Sequence, residues 1–501
     1  MTILQFLNQI GFVSHPFYSL NADQEAIQLE EYFVTPDYFE DLWGDPFLPF
    51  SNIIYAPRGG GKSAQRIMLE KRAEIEKDVL PISYINHDLS KFSSIDNVNI
   101  NYHLFALNQL LLASFFKKVA KTDEEVKNQF KYKDRQFLFK LAKQYLYNNP
   151  SYPSSEVKSL KKFNDTLMDF WRVARSPITN IIRGLSKKQG LEIDLSITPY
   201  ANQLESTHKE NLNKLIEYCV KSGFVSIYVF VDKVDEQSLT GNDASASFKL
   251  IKDLLLNLTI IELPNLCFKF FLWDALKEFT YIHGRPDRVK VFDISWTKEN
   301  IHDILNKRIS TYSENKFSTI QDVLEKKNSI NKILLFSEYS PRDAIRICSK
   351  IMSEQHKSNP SSNVFEDRIV DIAIMNFAKE KSDELVKLYK NSNFIQKINA
   401  VDFTVTELIN SKLTQSEDQI KDTLQELVKS SLLMKIENNL EKEEYAFLDI
   451  RLAFDACSNM NIDDFINKKV YKCHAINCSH TYYRDFDKTK FRCPKCNTEN
   501  L

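Results

Sequence analysis

The stretch APRGGGKSAQR, residues 56–66, decides the fold expected for this chain. Three of the chain's ten glycines stand together here, directly before a lysine and a serine. The segment before them, SNIIYA, has the pattern of a buried strand, and the segment after them, KSAQRIMLEKRAEIEK, has that of an amphipathic helix. A glycine loop between a strand and a helix can point backbone N–H groups at phosphate oxygens, while the lysine adds charge and the serine hydroxyl binds Mg²⁺. The residues predicted to hold phosphate and Mg²⁺ are Arg58, Gly59, Gly60, Gly61, Lys62, Ser63 and Ala64.

Ala56 departs from the usual phosphate-loop pattern, which has a glycine at this position. That glycine serves the tight turn off the strand. Gly59 and Gly60 supply backbone freedom nearby, so the pattern is weakened but not broken.

A second segment supplies the acid that a phosphate loop requires. In GFVSIYVFVDKVDEQ, residues 223–237, the run 225–231 is apolar except for Ser226, as in a central parallel strand. Asp232 follows at the carboxyl end of this run, where an aspartate holds Mg²⁺ through water. The two segments together predict a site for a nucleoside triphosphate, and they leave the choice between ATP and GTP open.

The segments APRGGGKS and VFVDKVDE resemble the AAA+-related P-loop ATPases, in particular the branch shared by archaeal-type origin-recognition initiators and the signalling STAND ATPases. The resemblance covers about residues 50–350 and implies ATP, Mg²⁺ and a helical lid after the core. It also implies roles for three further side chains. Asp274, which ends NLCFKFFLWD, matches a polar sensor. Arg288, in GRPDRVKVFDISW, matches an arginine finger that acts across a subunit interface, with Arg285 or an ordinary surface charge as the alternatives. Arg342, in YSPRDAIRIC, matches the second sensor on the lid, with Arg346 as the alternative.

One position departs from the initiator pattern. Initiators have a glutamate directly after the Mg²⁺ aspartate, where this chain has Lys233. The next acidic residues are Asp235 and Glu236, and their spacing from Asp232 is closer to that of STAND ATPases. Either acid can orient the attacking water, and Asp235 is the preferred candidate. We therefore expect slow hydrolysis, which suits a nucleotide switch better than a motor.

The two motifs are separated by a long insertion. About 130 residues lie between the expected second strand, PISYIN, and the strand that ends before Asp232, far more than a crossover helix needs. The spacing of their apolar residues predicts a helical insertion at about 92–218. Within it, segment 171–190 has five basic residues and no acidic one. This segment is either a solvated helix face or a contact for nucleic acid or an acidic partner.

The region after the lid has the order of a winged helix. In residues 403–454, two short helices precede two strand-like runs, and the initiators that the chain resembles also carry a winged helix after the lid. Residues 394–457 contain seven basic and twelve acidic residues, whereas DNA affinity depends on Lys and Arg contacts to phosphate. We therefore favour packing or protein contact over DNA binding for this region.

The C-terminal tail has the spacing of a zinc ribbon. Cys473 and Cys478 are separated by four residues, Cys493 and Cys496 by two, and the pairs lie about 15 positions apart. Four thiolates hold Zn²⁺ tetrahedrally, and the metal supplies most of the folding free energy of so small a unit. From position 468 onward there are eight basic and three acidic residues, with aromatic residues among them. Nucleic acid and a partner protein are both open as ligands of this ribbon.

The predicted fold is an α/β P-loop NTPase core with a parallel sheet, a helical insertion and a helical lid, followed by a winged helix and a zinc ribbon. The predicted boundaries are 1–50 for an N-terminal lead-in, 51–296 for the ATPase core, 297–356 for the lid, 357–465 for the winged-helix-like domain and 466–501 for the zinc ribbon.

The amino-acid composition indicates where the protein is located, but it does not identify a binding partner. The 66 basic and 67 acidic residues nearly balance, so the net charge indicates neither nucleic acid nor membrane. The N-terminal segment lacks the pattern of a signal peptide, and no run reaches the ~18 apolar residues that span a bilayer. Four scattered cysteines and one four-cysteine cluster fit a reducing cytoplasm. We expect a cytoplasmic protein with no membrane partner.

The resemblance implies an ATP-binding and ATP-hydrolysing switch that changes its assembly state or its partner contacts. It further implies a homo-oligomer, and a separately encoded protein partner or effector of the kind found in prokaryotic antiviral defence systems. Two alternatives stay open. One is a DNA-binding, initiator-like remodelling ATPase, and the other is a nucleotide-bound scaffold that does not hydrolyse.

Overall fold

The computed structural model describes the chain in two compact units, residues 21–295 and residues 1–20 with 296–501. The description omits residues 77, 91, 120–128, 147–204, 284–287, 387–394, 396–397, 411–415, 437–442, 458, 476–477, 479, 486–490, 494–495, 497 and 501.

A five-stranded sheet forms the centre of the unit 21–295. Its order is β2-β3-β4-β1-β5, and every neighbouring pair is parallel. The strands are β1 (Asn52–Ala56), β2 (Val79–Tyr84), β3 (Ser226–Val231), β4 (Leu266–Trp273) and β5 (Lys290–Asp293).

Both units contain helices. In chain order they are α1 (Ile3–Ile10), α2 (Leu29–Tyr32), α3 (Phe39–Trp43), α4 (Lys62–Ile75), α5 (Ile100–Val119), α6 (Tyr132–Tyr145), α7 (Glu205–Lys221), α8 (Ala244–Leu255), α9 (Leu258–Ile261), α10 (Lys277–His283), α11 (Lys298–Tyr312), α12 (Ser329–Phe336), α13 (Pro341–Ser358), α14 (Asp367–Val386), α15 (Val405–Asn410), α16 (Glu417–Lys429), α17 (Ile450–Ala456) and α18 (Ile462–Lys469). Short 3₁₀ turns occupy Ile95–Asn97, Val234–Glu236, Asp274–Leu276 and Ile320–Val323.

The three central strands of the sheet, β3, β4 and β1, are almost fully buried. All five residues of β1 and all six of β3 are buried, and only the last residue of β4 is partly exposed. Parallel strands that are buried on both faces need such continuous apolar runs. The phosphate loop follows β1, Asp232 follows β3 and Asp274 follows β4, so parallel pairing places all three at one edge of the sheet. The α/β class predicted from the sequence is confirmed.

Part of the helical insertion is described, as helices α5, α6 and α7. Asn108 on α5 donates to the carbonyl oxygen of His208 on α7 at 2.9 Å, and Tyr145 on α6 lies 2.8 Å from Nδ1 of the same histidine. These contacts join the three helices through buried polar groups. The basic segment 171–190 lies outside the described residues.

The second unit begins with the N-terminus of the chain. The Val13 N–H donates to the Tyr312 carbonyl at 3.0 Å, and the buried Arg308 donates to the Pro16 carbonyl at 2.8 Å. Residues 1–20 therefore pack with helix α11, whereas the rest of the expected lead-in, 21–50, belongs to the unit 21–295. In the described residues of both units, no helix has the length and apolarity needed to cross a membrane.

A three-stranded antiparallel sheet follows helix α14 in the chain. Its strands are β6 (Asp402–Thr404), β7 (Leu433–Ile436) and β8 (Glu444–Phe447), paired in the order β6-β8-β7. Helices α15 and α16 lie between the first two strands in the chain. This is the element order that the winged-helix hypothesis requires, and the winged-helix identity stays a prediction.

The tail forms two short antiparallel hairpins. The first pairs β9 (Val470–Lys472) with β10 (Thr481–Tyr483), and the second pairs β11 (Phe491–Arg492) with β12 (Glu499–Asn500). Next to β10, Arg484 is 4% exposed and lies 3.2 Å from Asp402 and 3.6 Å from Glu444. The first hairpin is thereby attached to the three-stranded sheet.

Candidate nucleotide and metal sites

The loop between β1 and α4 has the backbone geometry that its glycines permit. Gly59 and Gly61 have φ values of 82° and 91°, in the left-handed region that favours glycine. Gly60 has no space for a side chain, because an added Cβ would lie 2.9 Å from the Pro57 carbonyl oxygen. Helix α4 starts at Lys62, so the N–H groups of its first turn lie beside the loop. This arrangement is suited to binding an anion.

Lys62 folds back onto the loop. Its Nζ donates to the Ala56 carbonyl at 3.1 Å and to the Pro57 carbonyl at 3.3 Å. Ala56 therefore supplies a carbonyl to this lysine at the position where the usual pattern has glycine. The ammonium group is held at the mouth of the loop by neutral acceptors, which a phosphate can replace with a stronger, charge-assisted contact.

Ser63 and Asp232 meet across the site. The serine hydroxyl donates to Asp232 Oδ2 at 2.8 Å, and the backbone N–H of Lys233 donates to Asp232 Oδ1 at 2.8 Å. Neighbouring oxygens around an octahedral Mg²⁺ are about 2.9 Å apart, given Mg–O distances of about 2.0–2.1 Å. The spacing and the hard oxygen chemistry of the pair fit this ion.

The two acids proposed to orient water lie two and three positions after Lys233, whose backbone has φ 61°. Asp235 is 5% exposed, and its Oδ2 accepts a hydrogen bond from Arg58 Nε at 3.1 Å. The Arg58 guanidinium also stacks on Trp273 at 3.9 Å from the ring centroid. Asp235 and Arg58, which the sequence placed in different roles, form an ion pair. Glu236 lies next in the same turn and stays a candidate.

Asp274 begins the turn after β4, close enough to Lys62 for their charges to interact. Loss of solvent around its carboxyl group raises the pKa of Asp274, and the positive charge of Lys62 opposes this shift, although the residue as a whole is exposed. The position at the carboxyl edge of the sheet is the one expected for a sensor. Its role stays a prediction.

The two candidate arginines have different surroundings. Arg288 is exposed and pairs with Glu262, its Nη2 lying 2.8 Å from Oε1. Arg342 is exposed on the first turn of α13, in the unit that contains residues 296–501. Arg346, the alternative second sensor, pairs with Glu384 at 2.8 Å. The finger and sensor roles stay predictions.

Sequence reasoning missed one central residue of this site. Arg66 is 2% exposed, and its Nε donates to Asp232 Oδ2 at 3.1 Å. Its other nitrogens donate to Glu70 at 2.7 Å and to Asp23 at 2.5 Å. Arg66 lies three positions after Ser63, and residues at this spacing share a helix face, which is the one signal that could have identified it.

Comparisons with known proteins are distant. No family model matches the sequence, and no curated protein matches it significantly. Among 39 matching chains of solved structure is the Aeropyrum pernix ORC1 protein in complex with DNA, with 11% identity, a TM-score of 0.34 and coverage of 88% of this chain and 92% of that one. Cdc6p from Pyrobaculum aerophilum has 10% identity and a TM-score of 0.32, with coverage of 91% and 99%.

A third match is the Thermotoga maritima RuvB Holliday junction branch migration motor. It has 14% identity and a TM-score of 0.21, and the match covers 42% of this chain and 64% of that one. All three TM-scores are low, so the function of this chain is inferred from its own residues.

The four predicted metal ligands converge in the tail. The Sγ atoms of the cysteines all lie within 4.8 Å of one another, with 3.5 Å between Cys473 and Cys496 and 3.6 Å between Cys478 and Cys493. Tetrahedral Zn²⁺ with Zn–S bonds of about 2.3 Å places its sulfurs about 3.8 Å apart. The donor set and its spacing fit Zn²⁺. The four remaining cysteines are buried elsewhere, which raises the pKa of each thiol and keeps it neutral.

Helix α16, the second helix of the winged-helix-like region, has an acidic outer face. It buries Ile420, Leu424 and Leu427. The acidic side chains on the opposite, exposed face are Glu417, Asp418, Asp422 and Glu426. Such a face repels the phosphates of DNA.

Proposed function

We propose that this protein is an ATP-dependent molecular switch. The observation that carries the proposal is the 2.8 Å contact between Ser63 Oγ and Asp232 Oδ2, beside Lys62 at the start of α4. It joins the phosphate loop to the Mg²⁺ acid from positions 169 residues apart in the chain. A solvated glycine turn beside an unrelated strand would give these two side chains no reason to meet.

Binding of ATP uses the loop and the first turn of α4. Their N–H groups and the helix dipole attract the β- and γ-phosphates. Lys62 exchanges the carbonyls of Ala56 and Pro57 for phosphate oxygens. Ser63 and Asp232 hold Mg²⁺, which when bound offsets the negative charge that develops during phosphoryl transfer.

Hydrolysis requires an acid that orients water, and we assign this role to Asp235, with Glu236 as its alternative. The Arg58 guanidinium occupies one oxygen of Asp235 and makes it a weaker acceptor for a water proton. Lys233 stands where the initiator pattern has glutamate, and its Nζ lies 2.6 Å from Asp23. Both features support slow ATP hydrolysis. The ATP-bound state then lasts long enough for a partner to recognise it.

The readout of the switch is a change of assembly state or partner contacts. A homo-oligomer follows if Arg288 acts as a finger in trans, with Arg342 as the second sensor and Asp274 as the first. The zinc ribbon is the proposed contact for a separately encoded partner or effector, as in a cytoplasmic prokaryotic defence system. Nucleic acid is the alternative ligand of the ribbon or of the basic segment 171–190.

A scaffold that binds ATP without hydrolysing it is the second candidate. The ion pair between Arg58 and Asp235 favours it, because it occupies the preferred water-orienting acid. The remodelling ATPase that acts on DNA is less well supported, given the acidic outer face of α16.

ATP binding and turnover by the full chain test these alternatives, with and without single- and double-stranded DNA. The variants are Lys62→Ala, Asp232→Asn and the control Lys249→Ala, whose lysine pairs with Asp96 away from the loop. The switch predicts tight ATP binding and slow turnover, both lost in Lys62→Ala, kept in Lys249→Ala and indifferent to DNA. Binding without turnover supports the scaffold, and turnover stimulated by DNA supports the remodelling ATPase. ATP binding that survives Lys62→Ala unchanged would sink the site assignment.

A further inference from the structure

Arg66 is surrounded by carboxylates. It is 2% exposed on α4, and its three nitrogens contact three acids: Asp232 through Nε, Glu70 through Nη1 and Asp23 through Nη2. The acids come from the end of β3, from the next turn of the same helix and from the segment before β1. The single positive charge of Arg66 is therefore shared among three carboxylates inside the unit 21–295.

The contact with Asp232 falls on the oxygen that would serve the metal. Oδ2 accepts hydrogen bonds from Ser63 Oγ at 2.8 Å and from Arg66 Nε at 3.1 Å. Oδ1 accepts from the Lys233 N–H at 2.8 Å. Asp232, itself 2% exposed, thus shares the Arg66 charge with Glu70 and Asp23, and its Oδ2 already accepts two hydrogen bonds.

We propose that Arg66 sets the metal affinity of this site by lowering the negative charge at Asp232, so that a divalent cation binds tightly only together with the phosphates of a nucleotide. The inference rests on the proposed nucleotide-binding function. Mg²⁺ is bound through carboxylates together with substrate phosphates, and a fixed cation beside the carboxylate repels it. The repulsion is strong because the group is buried, where charges are poorly screened. The phosphates restore the negative charge that Arg66 removes.

A purely structural role for Arg66 makes a different prediction. Removal of one partner from a buried ion pair destabilises the protein whatever the role of that pair. The remaining acids have other contacts, however. Glu70 accepts from Ser83 at 2.6 Å, and Asp23 lies 2.6 Å from Lys233 Nζ. Loss of stability alone indicates a structural role, whereas a gain of metal affinity indicates the proposed one.

The test is Mn²⁺ titration of the nucleotide-free full-length protein, followed by electron paramagnetic resonance. The variants are Arg66→Gln, Arg66→Lys and the control Arg72→Gln, whose arginine on the same helix pairs with Glu40 and Glu76. Arg66→Gln should bind Mn²⁺ at least tenfold more tightly than the wild type. Arg66→Lys, which keeps the charge, and Arg72→Gln should stay within about twofold of the wild type.

Two further measurements keep the proposal open to refutation if Arg66→Gln is unstable. Mn²⁺ should raise the melting temperature of nucleotide-free Arg66→Gln and leave that of the wild type unchanged. Asp23→Asn, which keeps Arg66 and removes one of its competing anions, should require at least threefold more Mn²⁺ when a non-hydrolysable ATP analogue is bound. Equal Mn²⁺ affinity in the wild type and Arg66→Gln, or no shift in Asp23→Asn, would overturn the inference. Because the first titration contains no nucleotide, failure of ATP binding by the wild type is a separate result that refutes only the proposed function.

Discussion

Tyr483, in the first hairpin of the cysteine ribbon, donates its hydroxyl hydrogen to Glu338 Oε1 at 3.0 Å. The same oxygen accepts from the backbone N–H of Ile450, also at 3.0 Å. Glu338 and Tyr339 have φ values of 50° and 54° and form the turn directly before helix α13. The ribbon is therefore bonded to the turn before helix α13, the helix on which Arg342 lies.

Tyr483→Phe should destabilise the unit 1–20 with 296–501. The tyrosine is 3% exposed, and a hydrogen bond to a charged group contributes about 1.5–3 kcal/mol. For a domain of this size, each kcal/mol lowers the melting temperature by about 2–4 °C. Tyr445→Phe is the matched control, because its hydroxyl bonds Glu443, two positions away on the chain, rather than the turn before α13. Equal shifts in melting temperature for the two variants, measured by calorimetry, would show that the Tyr483 contact has no special role.

Removal of the metal should affect the same unit. The four cysteines lie between two short hairpins that have few other buried side chains, so we expect bound Zn²⁺ to supply most of the ribbon's folding free energy. A strong chelator, or Cys478→Ser, should lower the temperature of the first unfolding transition and weaken the hydrogen bond between Tyr483 and Glu338. Zinc content by elemental analysis and calorimetry on the same sample check this. A chelated protein that loses its zinc but keeps its melting profile contradicts it.

Acidification should destabilise the unit 21–295 through His87. Burial, with a smaller contribution from His103, lowers the pKa of His87 from 6.5 to about 3. The folded-state pKa of His87 lies below its unfolded-state pKa. The contribution of the neutral histidine to the free energy of unfolding is therefore full above pH 6.5 and is lost as the pH falls toward 3. The loss amounts to about 1.4 kcal/mol per pH unit over that range.

His87→Phe removes this pH dependence with little other change. The imidazole stacks on Tyr84 with 4.5 Å between ring centroids, and neither ring nitrogen has a hydrogen bond of ordinary geometry to a described residue. Chemical denaturation at pH 7 and pH 5 should give a smaller difference for His87→Phe than for the wild type, by about 2 kcal/mol. His356→Phe, in the other unit, is the control. An unchanged difference would show that His87 is protonated in the folded protein.

The sheet and the phosphate loop could be predicted because their signals are local. Strand β3 is an unbroken buried run, and a row of three glycines before Lys62 is typical of a loop that binds phosphate. The surroundings of Asp232 could not be predicted. Arg66 lies on a helix where a charged residue is usually solvated, and Asp23 reaches it from 43 positions away. The packing of residues 1–20 with helix α11 is also a contact between distant parts of the chain, without a pattern of its own.

The choice between the two water-orienting acids can be made with paired substitutions. Asp235 is buried at the edge of the sheet and Glu236 is the next residue in the same turn. If Asp235 orients water, Asp235→Asn should lower kcat at least 100-fold and leave ATP affinity within about threefold, since general-base contributions are about 10²–10⁴-fold. Glu236→Gln should keep most of the activity. The reverse result assigns the role to Glu236, and two active variants would leave neither acid essential.

Gly60→Ala should weaken ATP binding without unfolding the protein. The added Cβ would lie 2.9 Å from the Pro57 carbonyl oxygen and 3.1 Å from the Ala56 Cβ, so the loop must shift by several tenths of an ångström. A displacement of this size misdirects the N–H groups that face the phosphates and moves the carbonyls that hold Lys62. We expect ATP affinity to fall at least 30-fold, with a melting temperature within about 3 °C of the wild type. Gly241→Asn is the control, because its φ of 52° suits asparagine and its added Cβ meets nothing within 4 Å. Wild-type ATP affinity in Gly60→Ala would mean that the phosphates do not lie against this loop.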